Sequence, residues 1–580
     1  MPELRAGAKS SWILLLACVC ALGLGLRLAS IGRLLPHDPE PDAYLVLEMQ
    51  SRQADPALVE YVMFHERYPF LLSAGMAALT PRAELAPADA SEAEHLAAAA
   101  RPYVRMRLAV ALLASLLVPL TWFLARRFLD PPTALLAAFF IATSLLHLFF
   151  STEARPHGAH ATFALVSVLA SMHLRERLTA VRCALAIGAS ALAVSCLQLG
   201  LFTLPPLALA LLSARGGQRW MRVLLAIIAP LGAALLGMLA WPSYPYIDAQ
   251  GFHLAAAEGG GHVYLFEMLD FRGLRVGATL LWQHDPLLVV LLAAGLLHLV
   301  LAGPALLRRA RSHVLAPFAI AAAHALPYAL VLSLNGEVYE RFLLPLLPYA
   351  ACLAAWVLVF VWRELTPKIS ALSLRREART LLAFIFLGGP LLIAAQFVRV
   401  SRAPDSYEQA SAWLAAHAAP AAKILVTPGA VLPMECEASA LALDMQDPAN
   451  HTLPWFVYQS LLPAARAKPP TARVHQFPVA MALPSFGLDP ERMMNYLREH
   501  EIDYLVFEGS RKMHNLPLMR SLEYAARQLG TVAWCSEGSA PGTTTQGGID
   551  YQAVEDFAGR LLDSNAFGPP LRIYKIDRAK

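Results

Sequence analysis

Residues 183–214 read CALAIGASALAVSCLQLGLFTLPPLALALLSA, which is 32 consecutive residues without an acidic or basic side chain. About 20 apolar residues are enough to cross roughly 30 Å of hydrocarbon, so this run is too long for one ordinary membrane span. Gly200 and the pair Pro205-Pro206 interrupt it, and both residue types favour the ends of helices. The run therefore predicts either one very long helix or two short ones in a membrane.

The rest of the chain also has the composition of a membrane protein. Of its 580 residues 57% are hydrophobic and only 16% are charged, which is more apolar surface than a soluble fold can bury. One further span is predicted over residues 158–174. Eight other runs contain no Asp, Glu, Lys or Arg: residues 10–26, 108–125, 131–152, 223–247, 287–307, 314–336, 342–362 and 380–398. These runs predict a protein that crosses the membrane many times as α-helices.

The positions of arginine and lysine distinguish the two interpretations of residues 183–214. If the run crosses twice, the short loops on one face carry most of the basic residues: Arg126, Arg127, Arg175, Arg177, Arg182, Arg215, Arg219, Arg222, Arg308, Arg309, Arg311, Arg363, Lys368, Arg375, Arg376 and Arg379. The short loops on the other face then carry only Arg155, Arg272, Arg275 and Arg341. A single crossing would remove this bias, so the positive-inside rule favours two short helices and 11 spans in all. The N-terminus is then cytoplasmic and the C-terminus lies outside.

The predicted fold is a polytopic α-helical membrane protein with about 11 transmembrane helices and a small C-terminal α/β extracytoplasmic domain. Residues 1–400 form the transmembrane domain, with large outer loops at about residues 30–104 and 242–286. In residues 401–580, KILVT, EIDYLVFEG and LRIYKI predict strands, and DPERMMNYLREH predicts a helix. We expect a multi-pass protein of the inner (plasma) membrane whose first span is not cleaved.

The first outer loop begins with an acidic cluster. The sequence LLPHDPEPDAYL, residues 34–45, places Asp38, Glu40 and Asp42 within five residues of each other, directly after the first span. A single carboxylate at this position would be an ordinary solvated loop residue. Three of them on a proline-restricted backbone at the membrane surface could reach a cavity between spans and accept a proton there.

Two further charged motifs lie at the outer ends of predicted spans. STEARPHGAH, residues 151–160, contains Glu153 and Arg155, and NGEVYERFLLPLLPY, residues 335–349, contains Glu340 and Arg341. Ionisable groups at membrane depth are usually functional or paired with each other, and both interpretations stay open here. Arg341 could equally extend its charge to the interface.

In this order, and all on the outer face, the three motifs resemble those of the GT-C superfamily. More narrowly, they are similar to the protein O-mannosyltransferase and aminoarabinose transferase type of bacterial membrane glycosyltransferase. The resemblance covers about residues 10–400. It implies an inverting enzyme that moves a hexose or pentose from a polyprenyl-phosphate carrier to an acceptor hydroxyl on the outer face. Such a reaction needs a base for the acceptor's proton and cations for the departing phosphate.

The resemblance assigns the catalytic base to the acidic cluster. Asp42 in PDAYL is the first candidate, followed by Glu40 and Asp38. The family usually has an adjacent acidic pair, whereas prolines separate the acids in this chain. This departure leaves the choice among the three carboxylates open.

The resemblance also assigns the donor-phosphate site. Arg155 and Arg341 are expected to bind the phosphate, because arginine can hold it with two parallel hydrogen bonds. Glu153 is expected to orient Arg155 or the acceptor. His157, where the family often has tyrosine, and Glu340 are the other supporting residues.

No cofactor is implied with certainty. His157 and His160 lie one helical turn apart near Glu153, but this is not the spacing of a zinc signature, and hydrogen bonding is the favoured interpretation. The sequence leaves a divalent metal requirement open. The expected partners are a polyprenyl-phosphate-linked sugar donor, membrane lipid, and a protein, glycolipid or polysaccharide acceptor. The net charge of +4 comes from the cytoplasmic loops and does not suggest nucleic-acid binding.

Two other classes of protein fit a polytopic chain. A secondary transporter or lipid flippase would tend to show two related halves and charges near the bilayer midplane, and neither is seen in this sequence. A membrane sensor would leave the loop acids and Arg155 without a use. Two cysteines, Cys436 and Cys535, fall in the C-terminal domain, and an exported domain could pair them in a disulfide bond.

Overall fold

The computed structural model describes most of the chain outside its long loops. The described residues are 3–35, 87, 90–239, 246–248, 251–253, 271–309, 312–334, 338–369, 381, 384–419, 421–427, 432, 473–476, 489–508, 517–536, 557–577 and 579. Four residues with predicted roles lie outside these ranges: Asp38, Glu40, Asp42 and Cys436.

Helices make up most of the first four hundred residues. The α-helices are α1 (Glu3–Ala29), α2 (Glu92–Ser115), α3 (Leu117–Ala125), α4 (Pro131–Thr143), α5 (Leu145–Phe150), α6 (Pro156–Glu176), α7 (Ala180–Cys196), α8 (Leu204–Leu212), α9 (Arg219–Leu239), α10 (Arg272–His284), α11 (Pro286–Arg309), α12 (Ser312–Leu334), α13 (Leu347–Ile369) and α14 (Gly389–Ser401). Two 3₁₀ segments, Gln198–Thr203 and Glu340–Leu346, lead into α8 and α13, and a π-helical turn, Phe384–Gly388, leads into α14. A short hairpin, β1 (Tyr246–Asp248) and β2 (Gly251–His253), follows α9.

Among the described residues, six helical stretches are long and apolar enough to cross a membrane: Ser11–Ala29, Glu94–Ala125, Arg219–Leu239, Leu315–Leu334, Glu340–Glu364 and Phe384–His417. Four shorter apolar stretches are Pro131–Thr143, Ala180–Cys196, Gln198–Leu212 and Pro286–Ala302. The prediction of a polytopic helical membrane protein is confirmed at this level. The count of 11 spans stays a prediction.

The run of residues 183–214 forms a helical hairpin. Helix α7 ends at Cys196, and the chain turns through the 3₁₀ segment into α8. The backbone N–H of Leu178, before α7, donates to the carbonyl of Arg215, after α8, over 3.2 Å, so the chain returns to the end where it entered. A Cβ on Gly200 would lie 2.3 Å from the carbonyl carbon of Ala193, which only glycine avoids. Two short helices are therefore confirmed over one long one.

One predicted span is interrupted. The run 131–152 breaks at Ser144, between α4 and α5, whereas the run 108–125 stays within one helical stretch in which Leu116, between α2 and α3, keeps helical dihedral angles. Helix α2 also begins at Glu92, inside the predicted loop of residues 30–104, because the segment EAEHLAAAA has strong helix propensity. The break at Ser144 matters most for function, because it precedes the motif at residues 151–160.

The C-terminal part contains a five-stranded sheet. Its strands are β3 (Lys423–Val426), β4 (Arg473–Gln476), β5 (Tyr504–Glu508), β6 (Gly530–Cys535) and β7 (Leu571–Ile576), in the order β4-β3-β5-β7-β6. Strand β3 is parallel to β4 and β5, whereas β7 is antiparallel to β5 and β6. Four helices accompany it: α15 (Ser406–His417), α16 (Pro490–Glu499), α17 (Pro517–Leu529) and α18 (Phe557–Asp563).

The sheet is covered on both faces, which explains why β5 is buried throughout. On one face Leu505 packs with residues of α16 and α17, and on the other Val506 packs with residues of α15. Strands form within the predicted segments KILVT, EIDYLVFEG and LRIYKI, at Lys423–Val426, Tyr504–Glu508 and Leu571–Ile576, and a helix follows Asp489 as predicted. The Asp489 side chain accepts a hydrogen bond from the N–H of Glu491, as expected of a helix cap.

Candidate functional site

The segment between α5 and α6 is a tight turn buried in the helical bundle. At the end of α5 the hydroxyl of Ser151 donates to the carbonyl of Leu148 over 3.1 Å, and that of Thr152 donates to the carbonyl of Phe149 over 2.8 Å. These bonds satisfy carbonyls that a helix end leaves without intrahelical partners. The turn can therefore enter an apolar environment without exposing polar backbone groups.

Glu153 and Arg155 form an ion pair within this turn. Arg155 Nε lies 3.0 Å from Glu153 Oε2, and the two side chains are only 5% and 4% exposed. The N–H of Arg155 donates to the carbonyl of Glu153 over 2.8 Å, which closes a three-residue turn. Pro156 at the start of α6 holds the preceding Arg155 backbone extended. The sequence Glu-Ala-Arg-Pro thus places both charges on one buried turn.

The second charged motif lies at the start of the 3₁₀ segment Glu340–Leu346. The guanidinium carbon of Arg341 lies 4.4 Å from the ring centroid of Tyr339 and 5.4 Å from that of Phe342. An arginine between two aromatic faces gains cation–π attraction and loses freedom of movement. The hydroxyl of Tyr328, on α12, donates to the carbonyl of Phe342 over 2.9 Å and fixes this segment to the bundle.

The turn that contains Arg155 and the segment that contains Arg341 lie next to each other, although about 185 residues separate them in the sequence. The rings of His157 and Phe342 lie 5.5 Å apart between centroids, and His157 is close enough to Arg155 and Arg341 to interact with both charges. Glu340 is close enough to interact with Arg341, Glu153 and Arg155. All five predicted site residues in the described part, Glu153, Arg155, His157, Glu340 and Arg341, therefore form one cluster of two arginines, two carboxylates and one imidazole.

The predicted catalytic acids are not part of this description. Asp38, Glu40 and Asp42 lie outside the described residues, and the base assignment stays a prediction. Within the part of the chain that the structure describes, no group of three or more His, Cys, Asp or Glu side chains is arranged to hold a metal ion. His160 is buried, and its Nδ1 lies 3.2 Å from the carbonyl oxygen of Ala193, which agrees with hydrogen bonding as its role.

Asp285 is a half-buried carboxylate that the sequence did not single out. It accepts hydrogen bonds from the Ser144 hydroxyl over 2.7 Å, from the N–H of Leu145 over 2.8 Å and from the N–H of Leu146 over 3.3 Å. In the sequence Asp285 precedes Pro286, which is typical of a residue that caps the helix starting at that proline, here α11. Its side chain instead caps α5, the helix that leads to Glu153.

Arg27, near the end of α1, is a second buried charge that the sequence did not single out. It is fully buried and donates to the carbonyl of Gly23 over 2.6 Å and to the carbonyls of Ala142 and Ile141 over 3.3 Å each. Its guanidinium also contacts Nδ1 of His147, on α5. A basic residue at the end of a span is usually a flank that reaches the interface, and nothing local marks this one as buried.

No protein-family model matches the sequence, and no curated protein is similar to it. Solved structures with a similar fold include the archaeal oligosaccharyltransferase AglB from Archaeoglobus fulgidus, in complex with an inhibitory peptide and a dolichol-phosphate. That match has 14% identity and a TM-score of 0.47 and covers 92% of this chain and 74% of AglB. Another is ArnT from Cupriavidus metallidurans bound to undecaprenyl phosphate, with 16% identity, a TM-score of 0.42, and coverage of 90% of this chain and 96% of ArnT.

Proposed function

We propose that the chain is an inverting glycosyltransferase that moves a sugar from a polyprenyl-phosphate carrier to an acceptor hydroxyl on the outer face of the membrane. The observation that supports this most strongly is the meeting of the two motifs that contain Glu153–Arg155 and Glu340–Arg341. Charges at helix ends in a bundle are usually brought together for a use, because isolated ones are unfavourable there.

The two arginines suit the departing group of this reaction. When the bond between the sugar carbon and the phosphate oxygen breaks, the phosphate leaves with the electron pair and its negative charge grows. Arg155 and Arg341 would stabilise that charge from two sides of the site, in surroundings where electrostatic interactions are stronger than in water. Their positions are held in advance, by Glu153 for Arg155 and by the rings of Tyr339 and Phe342 for Arg341.

A carboxylate completes the reaction. The acceptor oxygen attacks the sugar carbon from the face opposite the phosphate, and the acceptor's proton passes to the base as the new bond forms. Asp42 is the proposed base, with Glu40 and Asp38 as alternatives. Glu153 is proposed to hold Arg155, and His157 and Glu340 to shape the charge distribution between the two arginines.

The test is a comparison of glycoconjugates between a deletion strain and its parent. Mass spectrometry of lipids, cell-wall polymers and exported proteins should find one conjugate that lacks a single sugar mass in the deletion strain. Purified protein with a radiolabelled polyprenyl-phosphate sugar should then restore that conjugate. Reorientation of the donor across vesicles without transfer would instead identify a flippase or transporter.

We place the protein in the inner (plasma) membrane, with the five-stranded sheet on the extracytoplasmic side. The arrangement of basic residues in the short loops supports this orientation. The same orientation puts the proposed site on the face where polyprenyl-linked sugars meet exported acceptors. The glycoconjugate comparison and the transfer assay would also identify the sugar and the acceptor and would show whether transfer requires a divalent metal ion.

A further inference from the structure

The break between α4 and α5 is unusual in that ionisable side chains from distant parts of the chain lie on both sides of it. Ser144 alone separates the two helices, with φ −55° and ψ 121°. Any such break leaves carbonyls at the end of the first helix and N–H groups at the start of the second without intrahelical partners. The first end carries partial negative charge and the second carries partial positive charge.

A buried cation lies at the carbonyl side. The Arg27 guanidinium donates to the carbonyls of Ile141 and Ala142, in the last turn of α4, over 3.3 Å each. It also contacts His147 on α5, so a single side chain touches the helices before and after the break. The sign of its charge matches the negative end of the α4 dipole.

A half-buried anion lies at the N–H side. Asp285 accepts from the N–H groups of Leu145 and Leu146, in the first turn of α5, and from the hydroxyl of Ser144 at the break itself. The sign of its charge matches the positive end of the α5 dipole. Charge-assisted bonds of this kind are about twice as strong as neutral ones.

Burying one ion and partly burying a second is an expensive way to stop a helix. The penalty is on the order of several kcal/mol for a fully buried ion, and proline or glycine would interrupt the chain without it. The start of α4 shows the ordinary arrangement. There Asp130 accepts from the N–H of Thr133 over 3.2 Å and pairs with Arg363 over 2.6 Å, and the two charged side chains are 39% and 65% exposed.

The break at Ser144 is one short helix away from the Glu153–Arg155 ion pair. Helix α5 has six residues and leads directly into the turn that contains Glu153 and Arg155. A shift in the direction of α5 would carry this ion pair away from Arg341. We propose that Arg27 and Asp285 are positioning residues that hold the break at Ser144 and thereby place Glu153 and Arg155, a catalytic consequence that rests on the proposed function.

The structural part of the proposal is tested without any activity. Ser151 is fully buried directly after α5, so Ser151→Cys reports on this segment through its reaction with a water-soluble thiol reagent. Mass spectrometry of the peptide separates its labelling from that of the native cysteines. In full-length protein, Asp285→Asn or Arg27→Gln should each speed the labelling about tenfold. Each substitution removes the hydrogen bonds of one charged group, and this raises the fraction of molecules in which the segment opens locally and exposes the thiol.

Two further variants make the labelling experiment decisive. Asp130→Asn removes the matched cap at the exposed start of α4 and should leave the labelling rate unchanged. Ser144→Ala removes one of the three donors to Asp285 together with the hydroxyl oxygen that accepts from the N–H of His147 over 3.2 Å. It should speed labelling about threefold, and it serves where Asp285→Asn does not give folded protein. Unchanged labelling in Ser144→Ala and Arg27→Gln would overturn the proposal.

The catalytic part is tested by donor kinetics. A displaced Arg155 should raise the KM for the polyprenyl-phosphate sugar about tenfold in Asp285→Asn with a smaller change in kcat, and Asp285→Glu should restore part of it. If Asp130→Asn raised KM and lowered kcat as much as Asp285→Asn does, the effect would be a general folding defect, and the assignment would be overturned. If the wild-type protein transfers no sugar, the proposed function fails, while the labelling rates still decide whether these residues hold the break.

Discussion

The hydroxyl of Tyr328 donates a hydrogen bond to the carbonyl of Phe342 over 2.9 Å, and this bond joins α12 to the 3₁₀ segment that carries Arg341. The Phe342 ring lies 5.5 Å from the ring of His157, in the motif that contains Arg155. Tyr328 is 1% exposed, so its hydroxyl has no access to water as an alternative partner. A tyrosine outside both motifs therefore helps to fix the distance between them.

The first prediction concerns this bond. Tyr328→Phe keeps the ring and removes the donor, and we expect the KM for the lipid-linked sugar to rise about threefold to tenfold as the 3₁₀ segment loosens. Tyr349→Phe is the matched control, because its hydroxyl bonds to an imidazole instead, with 3.0 Å between the oxygen and Nδ1 of His324. An equal rise in both variants would contradict a specific role for Tyr328.

The second prediction concerns the buried arginine. Arg155→Lys keeps the positive charge but replaces a planar two-pronged donor with a point charge, so use of the polyprenyl donor should fall about tenfold or more. Steady-state kinetics with varied donor would measure the effect. Arg127→Lys is the control, because Arg127 pairs with Glu176 over 2.5 Å at a site where both side chains are about a third or more exposed. Unchanged donor kinetics would reduce Arg155 to a structural ion pair.

Much of the site could be predicted because its signals are local. Glu153 and Arg155 are two residues apart and precede a proline, and Glu340 and Arg341 are adjacent before an apolar run. The charge asymmetry of the short loops placed the motifs on one face, and their meeting in the structure agrees with that. The hairpin at residues 183–214 was predicted for the same reason, from the arginines at its two ends.

The break at Ser144 has only one local signal. Serine is a favoured helix N-cap, and the Ser144 hydroxyl oxygen accepts from the N–H of His147 over 3.2 Å, but the residue lies in an apolar run that has ordinary helix formers on both sides. The charged groups at the break come from Arg27 and Asp285, which are 115 and 141 residues away from the atoms they contact. Tertiary hydrogen bonds of this kind override local helix propensity. The hydrophobic periodicity of a local segment cannot reveal them, because it contains no information about distant residues.

The third prediction concerns the proposed base. Asp42→Asn is nearly isosteric, but the amide is a poor proton acceptor, so transfer should fall by about 10²-fold or more while donor binding is retained. Turnover assays on purified, detergent-solubilised protein would measure it. Asp55→Asn, in the same outer loop but outside the acidic cluster, is the control for a general change in loop charge. Wild-type turnover in Asp42→Asn would move the assignment to Glu40.

The fourth prediction concerns the stability of the C-terminal sheet. Glu523, on α17, is 7% exposed, and its Oε1 accepts from Arg527 over 2.7 Å, Arg572 over 2.6 Å and Tyr574 over 3.2 Å. Glu523→Ala removes the common acceptor and should lower the free energy of unfolding of this unit by about 2–3 kcal/mol. Resistance of the C-terminal fragment to limited proteolysis at increasing temperature would report it.

The matched control is Glu501, which pairs with Lys423 over 2.8 Å near the same sheet but is 59% exposed. Glu501→Ala should change stability by less than about 1 kcal/mol, because exposed ion pairs contribute little. Equal effects of the two substitutions would mean that the three donors to Glu523 find other partners.

The last prediction concerns the side of the membrane on which the sheet lies. Cys535 is on β6, paired with Arg572 of β7, and Cys436 lies outside the described residues. If the C-terminus is extracytoplasmic, a membrane-impermeant thiol reagent applied to intact cells should label both cysteines after reduction. Labelling only after reduction would additionally indicate that they form a disulfide bond, which an oxidising compartment favours. Cys183 lies near the end of the hairpin whose arginines are predicted to be cytoplasmic. It is the internal control and should stay unlabelled in intact cells. Cysteines 436 and 535 that react only after the membrane is opened would reverse the proposed orientation and move the cluster around Arg155 to the cytoplasmic face.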